Sequence, residues 1–370
     1  MKQSELFKLT CQCLLLDEFP ELKEGIREKF ISRDVNLDAF VLLCSNHFVL
    51  PAVTIRLQNS GLIELLPDDY ADHLNEIYLL NRKRNKEILK QIDEISIRLE
   101  KAYIKPLYLK GTANLMDNLY PHSGDRMIGD IDFLVKEKDY LKTAELVLEL
   151  GYINEFATYD DFQEMKHYPR LYRTNVPADV EIHRIPVNIS HSKQFNTELL
   201  FQNKKAIKNR SNTFVSSNKH KLIHTFIHSQ LSNKGYRFKQ LGLRDLYDSY
   251  LLSKRVDVNI VVTEVEEKKK ARLFFEYTKY IFNPESTKTT QSTKAFNKFV
   301  VKHQWFLNHA RWHYWYINIL KLYQLIAIRY FARIVKALFQ KSSFKHIYNR
   351  LRDRKWYRMH FSQLKKTFFP

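Results

Sequence analysis

Glycine and proline are scarce, at 8 and 10 of 370 residues, and there are only three cysteines. So few breakers exclude collagen-like chains and make a loop-dominated all-β architecture a poor fit, which leaves a helix-rich fold as the default. Cys11, Cys13 and Cys44 cannot build a disulfide framework, and Cys11-x-Cys13 lacks the spacing and the second ligand pair of a zinc site. They read as reduced thiols on apolar faces. Long hydrophobic runs are missing too. The nearest approach, 317–338, is broken by Lys321, Arg329, Arg333 and Lys336, so no spanning helix is predicted. Nor is a leader expected, because Glu5, Asp17 and Glu18 interrupt the first apolar residues. The chain is therefore expected in the cytoplasm, with contact at the inner face of the membrane as an open alternative. Disorder throughout is excluded by 25 Phe, 21 Tyr and 4 Trp.

Acidic residues run short in one place only. The net charge is +19, yet residues 286–370 hold 18 basic side chains and a single acid, Asp353, a net of +17. All four tryptophans (Trp305, Trp312, Trp315, Trp356) lie in the same segment. Near-neutral sequence precedes it, joined through the Ser/Thr-rich stretch 283–295, which reads as a linker. On a helical wheel, Lys321, Arg329, Arg333 and Lys336 share an arc of 120° opposite Ile319, Tyr323, Ile326, Phe331 and Ile334. Arg350, Arg352, Arg354, Lys355 and Arg358 follow, with Trp356 and Tyr357 among them. A cationic face opposite an aromatic one suits an anionic membrane interface. Basic residues with stacking aromatics suit RNA as well, and a helix packed on the body remains a third reading.

Elsewhere the apolar spacing is helical over 37–60 and 68–102, with Pro67-Asp68-Asp69 opening the second helix. Strand patterns follow at 106–110, 130–135 and 178–183, with a helix after Lys138-Asp139 that Gly151 stops. From 197 to 255 the spacing reads as helical again. The expected fold is α+β: helical residues 1–102, a core at 103–200 with a small sheet, helical residues 201–282, the linker, and a helical tail at 296–370.

Three patterns carry chemistry. In Gly129-Asp130-Ile131-Asp132 the two acids stand two apart, so on a strand they share a face, a pairing that suits Mg²⁺. Asp179, Glu181 and His183 alternate in the same way. If that strand lies beside the first, a third carboxylate completes a set able to hold two metal ions. Leu109-Lys110-Gly111-Thr112 is a turn where glycine allows close approach of a phosphate and Lys110 adds a charge, with Thr112 expected to cap a helix over 113–119. His224 and His228, four apart, have helical zinc-ligand spacing, but no glutamate stands in the metalloprotease position between them.

Together these patterns resemble the nucleotidyltransferase fold of the DNA polymerase β superfamily, above all a bacterial family called uncharacterised nucleotidyltransferases. The likeness rests on Leu109-Lys110-Gly111, the run Arg126-Met-Ile-Gly129-Asp130-Ile-Asp132-Phe-Leu-Val135, Gly151-Tyr152 and Glu181-Ile-His183. It extends upstream to Ser45–Pro51 and downstream to Leu222–His228 and Leu243-Arg-Asp245, covering roughly 37–255 but not the basic tail. It implies Mg²⁺-dependent transfer of a nucleoside monophosphate from an NTP such as ATP to an unidentified acceptor. Asp130, Asp132 and Glu181 would be the catalytic and metal-binding carboxylates, and Lys110, Gly111, Thr112 and Arg126 would hold the phosphates. His183 would order Glu181, touch the acceptor or serve structure alone. His167, His224, His228 and Asp245 would be structural or face the acceptor. One departure stands out. Seventeen residues separate Thr112 from Asp130, so 114–125 must form a helix and a loop, which is expected to line the site. The reading from another class is a catalytically silent nucleotide-binding or scaffold protein acting through its tail.

Overall fold

The computed structural model describes residues 1–154, 166–284, 293–325 and 331–339, with scattered residues between 348 and 362. The chain forms two compact units, Met1–Lys302 and His303–Pro370. The first begins with helices α1 (Gln3–Leu14), α2 (Leu22–Ile31), α3 (Leu37–Asn46) and α4 (Leu50–Asn59). The helix expected over 37–60 is thus two. Phe48 takes a left-handed backbone, φ +56°, and ends α3. Pro51 has no N–H to continue the ladder and its ring would clash one turn back, so it opens α4 instead.

Helix α5 (Asp68–Glu100) has 33 residues, a length of about 50 Å. Its buried stripe mixes Ile88, Ile92, Ile95 and Leu99 with polar Asn81, Asn85 and Gln91. Buried amides need partners, and these find them in loop backbone. The Asn81 amide donates to Gly124 O (2.6 Å) and the Asn85 amide to Ser123 O and Arg126 O (2.6 and 2.8 Å). Arg84 donates to Ile128 O, Gly129 O and Pro177 O. One long helix therefore straps down the whole loop that leads into Asp130.

Among the described residues a five-stranded sheet follows: β1 (Leu107–Tyr108), β2 (Ile131–Leu134), β3 (Val180–His183), β4 (Lys204–Ala206) and β5 (Phe214–Ser216), in the order β3-β2-β1-β5-β4. β2 runs parallel to β3 and antiparallel to β1, and β1 runs parallel to β5. Between strands lie α6 (Lys110–Met116), α7 (Tyr140–Leu148) and α8 (Thr197–Gln202). Ile131, Phe133, Val180 and Ile182 point to one face and pack with Ile88, Ile92, Ile95, Ala144 and Val147 in the core. By the period of two, Asp132, Glu181 and His183 take the other face.

Helices α9 (Asn218–Phe226), α10 (Gly235–Phe238), α11 (Leu243–Ser253), α12 (Val258–Glu264) and α13 (Lys268–Ile281) follow, with a π-helical turn at Ile227–Ser232. α9 packs on α6 and α11. The fold is the expected α+β. The helical reading of 197–255 is corrected by β4 and β5, three residues each and too short to show a period, joined through Asn209 and Asn212 in left-handed conformations. Thr112 does not cap a helix over 113–119. The helix begins at Lys110, which places Thr112 in its first turn.

Helix α14 (Lys294–Asn308) closes the first unit and opens the second, which continues with α15 (Ala310–Gln324) and α16 (Ala332–Phe339). Trp312, Trp315, Ile319, Leu322 and Tyr323 of α15 are exposed. Their spacing of three, four, three and one puts them on one stripe. No helix among the described residues is long and apolar enough to cross a membrane. Most of the expected linker, together with Arg329, Arg350, Lys355, Trp356 and Tyr357 of the expected cationic surface, lies outside the described residues.

Candidate active site

Strand register assembles the centre. Asp132 pairs with Glu181 and Leu134 with His183 across β2 and β3, so residues far apart in the chain become neighbours on one face. One ligand atom each of Asp132, Glu181 and His183 lies within 4.8 Å of the others. His183 Nε2 is 2.8 Å from Asp132 Oδ1 and 3.5 Å from Glu181 Oε2. Asp130, one residue before β2, faces Arg170, whose Nη2 lies 3.1 Å from Asp130 Oδ2 and 3.0 Å from Glu181 Oε1. Lys110 comes in from the adjoining turn with Nζ 2.6 Å from Asp132 Oδ1. It is Lys110, not Gly111, that takes the left-handed backbone, φ +49°, a conformation costing a side-chain-bearing residue about 1 kcal/mol or more.

Gly111 is needed for another reason. A Cβ there would lie 1.9 Å from Arg126 Nη1 and 2.7 Å from its Cζ. Arg126 is buried and cannot yield freely: its Nε and Nη2 donate to Asp248 at 3.0 and 2.7 Å, and Tyr120 donates to the same carboxylate at 2.7 Å. The Thr112 hydroxyl donates to Asp130 O (3.1 Å) and accepts from Asp132 N (3.2 Å), fastening α6 to the carboxylate strand.

Charge separates the three carboxylates. Burial would raise Asp132, but Lys110 and the His183 hydrogen bond outweigh it and hold its carboxyl well below the usual range. Glu181 is likewise raised by burial and brought down, chiefly by its His183 hydrogen bond, to about 2. Asp130 is raised, because burial and its acidic neighbours exceed the pull of Arg170. Lys110 pairs with Asp132 strongly enough to be raised despite burial, whereas burial brings Lys166 down to about 8.

These groups open into a cavity of about 350 Å³ whose other wall comes from the helical half, with His224, His228, Arg244 and Asp245 among its lining. Burial keeps His224 well below its ordinary value and brings His228 to about 3, so both are neutral imidazoles. Their ring centroids are 6.3 Å apart at 87°, and they join no close group of metal ligands among the described residues. His183 Nδ1, His224 Nε2 and Asn114 Oδ1 are buried with no hydrogen-bond partner among the described residues. Lys110, Gly111, Arg126, Asp130, Asp132 and Glu181 all line this cavity, whereas Thr112 and His183 are buried behind it. Sequence reasoning missed Arg170, Lys166 and Asp248. Arg170 arrives because the segment around it pairs antiparallel with β3 through Leu171 and Val180, a contact no local spacing announces. Asp248 stands out only as the one buried acid on the inner face of α11.

The donor set suits a divalent cation. Oxygens of Asp132 and Glu181, which line the cavity, converge with one buried imidazole nitrogen, a set that fits Mg²⁺ or Mn²⁺. Residues 33–282 match the model of a protein family described as uncharacterised nucleotidyltransferase, a span holding the whole sheet, the carboxylates and the cavity. No curated protein matches the chain.

Proposed function

The chain belongs to the uncharacterised nucleotidyltransferase family, and from that membership we propose that it is a Mg²⁺-dependent enzyme moving a nucleoside monophosphate from an NTP to an acceptor hydroxyl. The observation that carries this reading is the meeting of Asp130, Asp132 and Glu181, from two parallel strands, at the wall of one cavity with Lys110 beside them. Asp130, Asp132 and Glu181 are the residues that would hold divalent cations, and such ions would supply positive charge to the attacking and leaving oxygens. Lys110 and Arg126, with the backbone of Gly111, face the place where a triphosphate would lie. Thr112 acts one step back, by fixing the turn. The acceptor oxygen forms its bond to the α-phosphorus as the bond from that phosphorus to the bridging oxygen breaks. Pyrophosphate leaves with the bond pair, and the acceptor's proton passes to a site carboxylate. On this reading His224 and His228, which line the opposite wall, would be structural or would face the acceptor.

The test is transfer of label from α-labelled NTPs in a cell extract, with Asp130→Asn and Asp132→Asn beside the wild type. Loss of at least a thousandfold in either variant is expected, on the scale of removing a principal electrostatic group. Transfer that survives both substitutions refutes the mechanism. The fraction that takes up label (lipid, RNA, protein or small molecule) identifies the acceptor class.

The tail has a separate role. Its net +17 and the exposed stripe Trp312, Trp315, Ile319, Leu322 and Tyr323 support docking on an anionic surface, a membrane interface before RNA, because aliphatic residues stand among the aromatics. Flotation with anionic liposomes and filter binding with tRNA, each across a salt series, decide between them.

A further inference from the structure

Two cationic side chains stand between the site carboxylates. Arg170 Nη2 bridges Asp130 and Glu181, at 3.1 and 3.0 Å, and Lys110 Nζ lies 2.6 Å from Asp132 and 3.8 Å from Glu181. Each nitrogen holds a pair of carboxylates together in the way a divalent cation would. Without them three carboxylates would share a largely buried face, and mutual repulsion would drive one to take up a proton or swing away. The two are anchored differently. The Arg170 side chain is 51% exposed and, among the described residues, makes its ion pairs to site acids and to Asp179, whereas that of Lys110 is 20% exposed.

The charge balance then decides what can enter. Counting Asp179, which pairs with Arg170, and Lys166, which lines the same cavity, four carboxylates face three cations, leaving about one negative charge. Two free divalent ions would overload this site with positive charge while Lys110 and Arg170 remain beside it. A triphosphate brings roughly four negative charges of its own and offers both side chains phosphate oxygens to pair with.

We propose that Lys110 and Arg170 are exchangeable counter-ions, which keep the carboxylates assembled before nucleotide binds and give way to metal only when a triphosphate arrives to receive them. The site therefore takes the metal–triphosphate complex and discriminates against free metal. Arg170 is a positioning residue on this account. The inference deepens the nucleotidyltransferase reading and rests on it.

Equilibrium dialysis of the full chain against Mn²⁺ tests it, without nucleotide and with a mixture of four α,β-methylene ribonucleoside triphosphates. The wild type is expected to bind Mn²⁺ at least about tenfold more tightly with the triphosphates present. Arg170→Gln should tighten Mn²⁺ binding about tenfold in their absence and narrow the difference between the two conditions. Arg170→Lys, which keeps the charge, should behave as the wild type, an outcome a merely structural role would not produce. Uptake by the wild type that is equally tight with and without triphosphate overturns the proposal. So does an Arg170→Gln variant that binds free Mn²⁺ no better. If triphosphate-dependent uptake is present and lost in Asp132→Asn but insensitive to Arg170→Gln, the counter-ion idea fails and the transferase reading stands. No uptake in any condition overturns both.

Discussion

Replacing Gly111 by alanine is a sharp test of how the turn and the strapped loop fit together. The backbone at Gly111 is not left-handed, so alanine adds no conformational strain. What it adds is a methyl group 1.9 Å from Arg126 Nη1, 2.7 Å from Cζ and 3.1 Å from Nη2. Ordinary contact begins near 3.4 Å, so the guanidinium must retreat by more than an ångström. A free arginine would simply rotate. This one is 7% exposed and locked to Asp248 by three hydrogen bonds, from Nε to both oxygens and from Nη2. Retreat breaks a buried ion pair, which costs about 3–5 kcal/mol, and partial relaxation brings the expected loss to about 2–4 kcal/mol. Urea unfolding of the full chain measures it. Gly129→Ala, where the added carbon would meet nothing within 4 Å, is the control and should stay within about 1 kcal/mol of wild type. The decisive comparison repeats Gly111→Ala in an Arg126→Ala background, where most of the loss should vanish. A Gly111→Ala protein as stable as Gly129→Ala, or an unchanged penalty once Arg126 is gone, refutes the reasoning.

Arg56→Met should destabilise by about 3–5 kcal/mol, because Asp125, 2.6 Å away and without side-chain exposure, is left as a buried charge. The double variant Arg56→Met/Asp125→Leu should regain much of that loss in the same urea titration, and failure to regain any would show the pair itself to be stabilising. On acidification, Glu181 predicts a defined window. Its carboxyl sits near 2 in the fold against 4.5 unfolded, so its contribution is complete above about pH 4.5 and is lost as pH falls toward 2. The urea midpoint should therefore drop between those values, and Glu181→Gln should flatten the drop; an unaltered slope in the variant contradicts the assignment. Burial pushes all three thiols up, the Cys44 thiol to about 12, so an aromatic disulfide reagent should label no cysteine in the native protein and three after unfolding. Rapid native labelling of any of them would contradict their burial.

The composition and the local patterns already hold much of this protein. Helix α5 is legible from its apolar spacing and its Pro67-Asp68-Asp69 start. The acid–apolar–acid alternation at Asp130 and Asp132, with Glu181 and His183 later, is legible because strand geometry sends alternate residues to opposite faces. The break at His47–Val49 could have been read from Pro51. β4 and β5 could not, since three residues carry no usable period. Asn81 and Asn85 look like gaps in an apolar stripe, and only the loop they hold explains their burial.

What the chain determines by itself is which residues share a face, because that depends on backbone periods of two and 3.6 acting over a few neighbours. Which faces meet is another matter. That Glu181 stands opposite Asp132, that Arg170 reaches across to Asp130 and Glu181, and that Arg126 presses on Gly111 while held by Asp248 all follow from long-range register. Register is set by the one arrangement that buries Ile131, Phe133, Val180 and Ile182 against α5 and α7 while pairing the backbone groups between strands. A local pattern cannot express that choice, because its energy belongs to segments brought together only when the chain has folded.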